Sequence, residues 1–344
     1  MKKPRILVSI PQGEIRDSFF NSELVERLET LGEAAWNQKS TMLTEDEFAE
    51  KLKGIDICIT GWGNTPLNEN TLKYADSLKL IAHDGGTIRP MISDYAFEKG
   101  IRVCCGNRVF ARSVAEGVVA YILAALRRIP AYYNQVQQGE WPSLAGTRGL
   151  LDRSVGLVGY GMISQYVAQM LKAFGCSVKV SSRYITEEEL KREGLQLATT
   201  EEIFESCDIV SLHQGLTRET KGSIDEALLR KLKNGAVLVN TARGEIVDEQ
   251  ALIKVLKEGK ITAVLDVFVE EPLPMNSPLR ELDNVFLMPH AAGPTEDQRV
   301  AVTKHLLDDI ECFLAGTPLF CEIDASRASK MTTVLKAVRE DIKR

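Results

Sequence analysis

The sequence predicts an α/β protein made of two doubly wound parallel sheets, and two observations carry this prediction. Short apolar runs of strand length alternate with segments of helical apolar spacing, both before residue 110 and after residue 150. In the second half, the glycine turn Gly159-x-Gly161-x-x-Ser164 stands between such a run and such a segment. Alternation of this kind is typical of parallel strands joined by crossover helices, so each half is expected to form its own layered domain.

The composition fits a globular protein of about two domains. The chain has 344 residues, 44% hydrophobic and 26% charged, and its net charge is -6. This charge and the lack of a basic block argue against a nucleic-acid partner. The apolar run at residues 5–9 is too short for a signal peptide or a membrane span. We therefore expect no membrane partner and a cytoplasmic location.

The seven cysteines are an odd number and show no C-x-x-C spacing. Neither a disulfide framework nor a metal site is indicated. Most of the cysteines lie in apolar runs, so buried thiols are expected.

In the first domain the pattern predicts four strands and four helices. The strands are at residues 5–9, 55–60, 79–82 and 102–105, and the helices at residues 22–31, 44–52, 68–75 and 92–99. Two glycine loops, Gly61-Trp62-Gly63 and His83-Asp84-Gly85-Gly86, directly follow strands. The carboxyl ends of parallel strands border the ligand site of an open sheet, although ordinary turns are an equal alternative for either loop.

A long helix is expected to carry the chain into the second domain. Ser113-Val114-Ala115-Glu116 has the pattern of a capping box and predicts a helix that begins there and ends near residues 127–130. Residues 134–149 are polar and loop-rich and include Trp141-Pro142. This segment is a candidate for an arm that contacts a partner, or for a local packing plug.

The glycine turn predicts a dinucleotide site. It follows the apolar run 155–158 and precedes a helical segment, and a second strand follows at 178–180, which completes a βαβ unit. Gly159 permits the tight turn, Gly161 lets the backbone approach a pyrophosphate, and N–H groups at the helix start face its charge. Ser164 stands where a third glycine is usual, and its small side chain still allows close packing of the helix on the strand.

Further strands at residues 208–212, 236–240, 263–265 and 285–288 give this domain six, with helices at 225–232 and 248–258. An amphipathic segment at 296–314 falls after that domain is complete, so the chain is expected to return to the first domain. The predicted domains are residues 1–110 with 296–330 for the first, and 111–295 for the second. The tail, 331–344, has no readable role.

Three reactive side chains follow strand ends in the second domain: Arg243, a glutamate at 270 or 271, and His290. Their positions predict a forked cation, a carboxylate and an imidazole beside the dinucleotide site. Arginine binds a carboxylate by two parallel hydrogen bonds, and histidine exchanges a proton near neutrality. Reduction of a 2-oxo acid needs such groups. Spacing alone does not separate Glu270 from Glu271.

At this point the sequence resembles the D-isomer-specific 2-hydroxyacid dehydrogenase family. The likeness rests on Gly159-x-Gly161, Cys207-Asp208-x-x-x-x-His213, Thr241-Ala242-Arg243-Gly244-Glu245-x-x-Asp248, Leu265-Asp266-Val267-Phe268-x-x-Glu270-Glu271-Pro272 and Pro289-His290. The resemblance implies a Rossmann NAD(P) domain inserted in a flavodoxin-like substrate domain. It also implies a homodimer joined through the cofactor domains.

The resemblance assigns roles to individual residues. Arg243 is implied to bind substrate, His290 to be the acid/base, and Glu271 to be its partner, while Gly85 and Gly86 match a glycine loop that faces the substrate. The residues expected to contact the cofactor are Gly159, Gly161, Met162, Ile163, Ser182, Arg183, His213, Gln214, Thr241, Ala242, Asp266 and Gly293.

The chain departs from the family pattern after Gly86, where it reads Thr87-Ile88-Arg89-Pro90. The family often has glycine and then Asp-Asn there, so no substrate specificity is carried over. Arg89 is expected to face solvent rather than to bind an anion.

The cofactor is expected to be NADP or NAD, with a weak preference for NADP. Where an acidic residue normally accepts the ribose hydroxyls of NAD, this chain has Ser182 followed by Arg183. A serine and an arginine could bind a 2′-phosphate, whereas the acidic run Glu187-Glu188-Glu189 just downstream opposes one.

The sequence therefore predicts an oxidoreductase that transfers a hydride between NAD(P)H and a small 2-oxo acid such as glyoxylate or hydroxypyruvate, giving the D-2-hydroxy acid. The alternatives are an NAD(H)-sensing, corepressor-like binding protein on the same fold and, within the superfamily, a phosphonate or formate dehydrogenase.

Overall fold

The computed structural model describes residues 3–89, 91–329 and 331. By its contacts the chain divides into two compact units, residues 1–110 with 294–344 and residues 111–293. Each unit has its own sheet, and every strand pair in both sheets is parallel. The α/β fold class is confirmed. Which unit binds substrate and which binds cofactor stays a prediction.

The sheet of the first unit has five strands in the order β2-β1-β3-β4-β5, the order of flavodoxin-like sheets. Its strands are β1 (Arg5–Val8), β2 (Glu33–Trp36), β3 (Ile57–Gly61), β4 (Leu80–Asp84) and β5 (Arg102–Cys105). The central strands β3 and β4 are buried at every position because apolar clusters cover both faces of the sheet.

Most helices of the first unit begin near an acidic first turn. They are α1 (Glu14–Phe19), α2 (Ser22–Leu31), α3 (Glu45–Lys51), α4 (Asp94–Glu98), α12 (Glu296–Ala315) and α13 (Ala325–Ser329). Thr44 and Glu47 cap α3 reciprocally. The helix predicted at 68–75 is wrong: this segment forms turns, in which the Asn68 side chain accepts the N–H groups of residues 70 and 71.

The sheet of the second unit has seven strands in the order β12-β11-β10-β9-β6-β7-β8. Counted from β6, this is the Rossmann order 3-2-1-4-5-6 with one more strand at the edge. The strands are β6 (Ser154–Val158), β7 (Ser177–Ser181), β8 (Gln196–Leu197), β9 (Ile209–Leu212), β10 (Val237–Asn240), β11 (Thr262–Leu265) and β12 (Val285–Leu287). Alternate residues of β10 face two different apolar clusters, Leu238 on one side and Val237 and Val239 on the other.

The helices of the second unit follow its strands, except for α6, which precedes β6. They are α6 (Ile129–Gln137), α7 (Met162–Lys172), α8 (Glu187–Arg192), α9 (Thr200–Ser206), α10 (Glu226–Leu229) and α11 (Glu249–Lys257). Short 3-10 turns lie at Gly244–Ile246 and Pro278–Glu281.

The long helix α5 spans Asn107–Leu126. The predicted start at Ser113 is wrong, because the helix begins six residues earlier and Ser113 lies within it. Its hydroxyl donates to Gly293 O at 3.3 Å instead of capping a helix. By length and composition α5 could cross a membrane, but half of it is buried in the protein, where Ala115, Val118 and Ile122 join an apolar core.

Arg89 does not face solvent as expected. Its side chain is 13% exposed, pairs with Asp94 at 2.7 Å, and donates to the carbonyl of Ala328 at 2.8 Å. It thus ties α13 to the loop after β4 within the first unit. The predicted tail, 331–344, lies outside the described residues except for Met331.

A buried carboxyl group ends β4. Asp84 is fully buried, and its Oδ2 accepts the hydroxyl of Thr303 on α12 at 2.6 Å. Its Oδ1 has no hydrogen-bond partner among the described residues. Burial raises the pKa of Asp84 to about 8, against the opposing effect of the Thr303 hydrogen bond.

This shift makes the stability of the protein depend on pH. An aspartate in the unfolded chain loses its proton near pH 4, whereas Asp84 in the folded protein keeps it up to about pH 8. Between about pH 4 and pH 8 the folded protein therefore binds one more proton at Asp84 than the unfolded chain does. The contribution of Asp84 to stability falls as the pH rises through this range and stays constant above about pH 8.

We therefore predict that Asp84→Asn stabilises the protein relative to wild type at pH 8 but much less at pH 5. Because one pKa unit corresponds to about 1.4 kcal/mol, the difference in unfolding free energy should grow by about 1 to 4 kcal/mol between these pH values. Urea unfolding at both pH values measures it. Asp76→Asn, at an exposed position, is the control and should follow wild type; the same pH dependence in Asp84→Asn and wild type would contradict the assignment.

Candidate active site

The glycine turn after β6 brings two strand ends into close contact. Gly159 has φ +98°, and a Cβ there would lie 2.9 Å from Gln214 N, so only glycine fits this position. Gly161 has open space where a side chain would be. Ser164 Oγ donates to Gly159 O at 2.7 Å. The serine that replaces the usual third glycine is therefore small enough for close packing and also stabilises the turn by a hydrogen bond.

Several buried polar atoms after the neighbouring strands β9 and β10 have no hydrogen-bond partner in the described part of the chain. They are Nε2 of His213, Oε1 of Gln214 and Oγ1 of Thr241, at the ends of β9 and β10. Burial lowers the pKa of His213 to about 4, so its ring is neutral near pH 7. Buried polar groups are normally satisfied. These unpaired atoms and the open turn fit a bound dinucleotide, whose oxygen and nitrogen atoms would complete them.

The end of β7 carries the residues predicted to contact the adenosine ribose. Ser182 is half-buried, and its Oγ accepts the N–H of Tyr184 at 3.2 Å. Arg183 is exposed. A hydroxyl and a guanidinium are thus available at this position, and no carboxylate stands there.

The loop after β10 places Arg243. Asn240, the last residue of the strand, accepts the N–H of Ala242 and donates to the carbonyl of Arg243 at 3.0 Å, which folds the loop back on itself. A Cβ on Gly244 would overlap the backbone of Phe268, so glycine allows the loops after β10 and β11 to touch. Burial lowers the pKa of Arg243, and the charges of Glu271 and Glu245 oppose this. The arginine therefore stays charged beside two carboxylates.

Glu271 and His290 form a hydrogen-bonded pair. Glu271 Oε2 lies 2.9 Å from His290 Nδ1, and Glu271 Oε1 accepts the N–H of Phe268 at 2.9 Å. The glutamate side chain is 6% exposed and the histidine side chain 39%. Because an ionised carboxylate only accepts, Nδ1 is the donor and Nε2 is the nitrogen left for a substrate. Glu271, and not Glu270, makes this contact.

Asp266 fixes the backbone that follows His290. Its buried carboxylate accepts the N–H of Ala291 at 2.7 Å, the N–H of Ala292 at 3.0 Å and the hydroxyl of Tyr121 at 3.2 Å. His290 has φ +56°, a left-handed conformation that costs a non-glycine residue about 1 to 2 kcal/mol. Such strain persists where the surroundings over-determine it, and the two hydrogen bonds to Asp266 are part of that surrounding.

The other predicted residues are placed as follows. Met162 and Ile163 begin α7 and are half-buried, as are Ala242 and Gly293. Gly293 also has open space where a side chain would be. Gly85 and Gly86 belong to the first unit, at the carboxyl end of β4, and their predicted contact with substrate stays a prediction.

Two contributors to this site were not predicted from the sequence. Tyr121 lies on α5, 145 residues before its partner Asp266, and nothing local to either residue indicates the pair. Asn240 could have been found, because an asparagine at the end of a strand often folds the following turn.

The arrangement can bind an anion and move a proton. Arg243 presents a planar cation, and His290 presents a titratable nitrogen whose ring is oriented by Glu271. The two side chains follow β10 and β12, the strands on either side of β11 in one parallel sheet, and Glu271 follows β11 between them.

Comparison with known proteins places this geometry in a family. The family model described as "D-isomer specific 2-hydroxyacid dehydrogenase, NAD binding domain" matches residues 119–292. The chain is 36% identical over 329 residues to the glyoxylate reductase of Aeropyrum pernix, which covers 92% of this chain and 94% of that protein.

It is also 34% identical over 316 residues to the D-3-phosphoglycerate dehydrogenase of Methanocaldococcus jannaschii. That match covers 91% of this chain, which spans only 58% of the length of that relative. The solved structure of an NADPH-dependent glyoxylate/hydroxypyruvate reductase from Sinorhizobium meliloti, in complex with citrate, aligns with a TM-score of 0.75 and 25% identity, covering 96% of this chain and all of that one.

The sequence motifs, the order of the strands and these matches agree, and the chain belongs to the D-isomer specific 2-hydroxyacid dehydrogenase family.

Proposed function

We propose that this protein is an NAD(P)-dependent oxidoreductase that interconverts a small 2-oxo acid and its D-2-hydroxy acid. The observation that carries the proposal is the 2.9 Å contact between His290 and a nearly buried Glu271, with the charged Arg243 beside that glutamate. Membership of the family and the names of its relatives support it. Glyoxylate and hydroxypyruvate are the first substrates to test, because one relative is called a glyoxylate reductase and another a glyoxylate/hydroxypyruvate reductase.

In this proposal the chain binds the substrate and supplies the proton. The guanidinium of Arg243 binds the substrate carboxylate through parallel hydrogen bonds. The Nε2–H of His290 donates to the carbonyl oxygen as it becomes a hydroxyl, and the carboxylate of Glu271 stabilises the charged ring before that transfer. When bound, the reduced nicotinamide supplies the hydride to the carbonyl carbon. The proton and the hydride together balance the reduction of the ketone to the alcohol.

The residues that would hold the cofactor follow from the site. The open turn at Gly161 and the N–H groups of Met162 and Ile163 would face the pyrophosphate. The unpaired polar atoms of Gln214 and Thr241 would contact the remaining parts of the dinucleotide. A panel of 2-oxo acids assayed with both reduced cofactors tests the proposed function. A chain that binds NAD(P)H but oxidises it with no 2-oxo acid would instead favour the role of a dinucleotide sensor.

We predict that His290→Gln and Arg243→Gln both lower activity, but in different ways. Loss of the general acid should reduce kcat by about 10²- to 10⁴-fold with a smaller effect on KM. Loss of the guanidinium should raise KM and lower kcat together, because the carboxylate is then neither bound nor oriented. Steady-state kinetics on the best 2-oxo acid separate the two patterns.

The controls for these variants are His305→Gln and Arg230→Gln, which change exposed residues whose hydrogen-bond partners, Ala301 for the histidine and Glu226 and Glu258 for the arginine, lie outside the candidate site. They should behave like wild type. Wild-type rates in the His290 and Arg243 variants would overturn the proposed roles.

We further propose that NADPH is preferred over NADH. Ser182 and Arg183 offer a hydroxyl and a cation where NAD-specific proteins have a carboxylate. The acidic run downstream is partly neutralised: Glu187 pairs with Lys191 at 2.8 Å, and Glu189 caps α8. The name of the Sinorhizobium relative, which specifies NADPH, agrees with this preference.

The test compares kcat/KM for the two cofactors with one substrate. Wild type should favour NADPH, and Arg183→Ala should lower the NADPH value by about tenfold while leaving the NADH value nearly unchanged, because only NADPH has the 2′-phosphate. Arg192→Ala, nearby on α8 and also exposed, serves as the charge-matched control. An equal or NADH-favouring ratio in wild type would end this proposal.

The cytoplasmic location stays a prediction. We also propose that the protein is a homodimer whose interface involves residues 129–144. Five large apolar side chains are exposed in this segment: Ile129, Tyr133, Val136, Trp141 and Leu144. Trp141 is 91% exposed and Leu144 73%. Clustered exposed apolar groups mark interaction surfaces more often than scattered ones do.

Sedimentation velocity tests the dimer. Wild type should sediment as a species with twice the chain mass of 38.2 kDa. The double variant Trp141→Ser/Leu144→Ser should shift the equilibrium toward monomer, because it removes apolar area from the interface. Met275→Ser, at another exposed apolar residue of the second unit, is the matched control. A wild-type monomer at micromolar concentration would contradict the dimer.

A further inference from the structure

One face of α5 contacts the segment that follows His290. Ser113 Oγ donates to Gly293 O at 3.3 Å, and Tyr121 Oη donates to Asp266 Oδ1 at 3.2 Å. Asp266 in turn holds the two N–H groups that follow His290. The helix is thus connected to this segment directly at one end of the contact and through Asp266 at the other.

Between these two contacts, the residue on this face of the helix is Gly117, which has no side chain. A Cβ built on Gly117 would lie 3.2 Å from both Cα and O of Ala292 and 3.3 Å from its Cβ. Residues 113, 117 and 121 are four apart and therefore lie along one face of the helix. The backbone of the segment after β12 packs directly against that face.

An adjoining side of α5 is packed in an apolar core. Ala115, Val118 and Ile122 are fully buried in the core that also contains Val155 and Leu157 of β6. Packed interiors deform little. The face that contacts the His290 segment is therefore held by the same core that supports the glycine turn.

We propose that Ser113, Gly117 and Tyr121 are positioning residues, which together hold the segment Ala291–Gly293 and thereby fix His290 for proton transfer. The inference rests on the proposed function, in which His290 is the acid. It explains why the left-handed backbone at His290, φ +56°, is maintained. Asp266 accepts the N–H groups of the next two residues, and Ser113 donates to the carbonyl of Gly293. Three hydrogen bonds therefore restrain the backbone that follows His290.

The hydroxyl of Tyr121 also affects the ionisation of Asp266. Burial raises the pKa of Asp266, while the N–H groups of Ala291 and Ala292, the charge of His290 and the hydroxyl of Tyr121 lower it. The titratable groups that face Asp266 are thus Tyr121 from α5 and His290 from the segment after β12. Removing the hydroxyl of Tyr121 leaves the ionised carboxylate less stabilised, so a larger share of Asp266 is protonated as the pH falls.

The first test is Gly117→Ala. Alanine favours a helix more than glycine does, so the variant should keep or raise the Tm. The added Cβ should displace Ala292 by a few tenths of an ångström, and we expect kcat to fall about tenfold with little change in the KM for the 2-oxo acid. Adding Ala292→Gly removes one of the three contacts and should restore part of the loss. Glu116→Ala, on the exposed side of the same helix, should keep wild-type kcat.

The second test is Tyr121→Phe, which removes one oxygen and adds no atom. If Gly117→Ala lowers the Tm, its loss of activity is ambiguous, and Tyr121→Phe then tests the positioning role. We expect kcat to fall about fivefold, as for the loss of one hydrogen bond. The acid limb of the kcat/KM profile should also move to higher pH, a change that loss of packing alone does not produce. Tyr132→Phe, which removes a hydroxyl bonded to Ser143 O at 3.0 Å elsewhere in this unit, is the control and should leave the profile in place.

A third readout does not require activity. The chain has four histidines, so their ring signals can be followed by NMR, with His290→Gln assigning the relevant one. Both variants should shift the His290 signal and leave those of His83 and His305 in place. If wild type reduces no 2-oxo acid, the proposed function fails while this measurement still tests the positioning. Wild-type kcat together with an unmoved His290 signal, or equal shifts of all four signals, would overturn the inference.

Discussion

The carboxylate of Asp266 connects three separate parts of the chain at the candidate site. It lies at the end of β11, it is 1% exposed, and its donors come from α5 and from the two residues after His290. A buried carboxylate without partners is costly, and its charge is tolerated only where hydrogen bonds replace water. Each of these donors thus supports a charge that the fold would otherwise exclude, and removing one weakens the hold on the other segments.

Parallel topology explains why these groups meet. The carboxyl ends of parallel strands lie at one edge of a sheet, and β10, β11 and β12 are neighbours in that order. The loops still need close contact for Arg243 to lie beside Glu271. Gly244 supplies it, since a side chain there would overlap the backbone after β11. Gly159 does the same for the turn after β6 and the loop after β9.

The sequence was informative where a structure depends on local pattern. Parallel strands, the glycine turn and the strand ends that carry Arg243, a glutamate at 270 or 271, and His290 all followed from apolar runs and the turn residues that end them. The choice of Glu271 over Glu270 came from the resemblance to the family. The four-residue β2 has only alanine and tryptophan as apolar residues and β8 has two residues, so neither gave a signal. Ser113 shows how tertiary structure overrides a local motif: its capping pattern is present, but the helix extends through it, and its hydroxyl bonds to a residue 180 positions away. The Tyr121–Asp266 pair could not be predicted for the same reason, because only the folded chain brings these residues together.

The two carboxylates next to His290 constrain different degrees of freedom. Glu271 bonds to Nδ1 and fixes the rotation of the ring about its own side-chain bonds. Asp266 bonds to the backbone and fixes the point from which the side chain starts. For the proposed role of His290 as proton donor, the ring must be placed within a few tenths of an ångström and within about 10 to 20° of its acceptor, and neither constraint achieves this alone. With only Glu271 the ring could keep its hydrogen bond while the backbone shifted beneath it; with only Asp266 the ring could turn Nε2 away from the substrate. The left-handed backbone of His290, φ +56°, is the conformation in which the hydrogen bonds to both carboxylates are made.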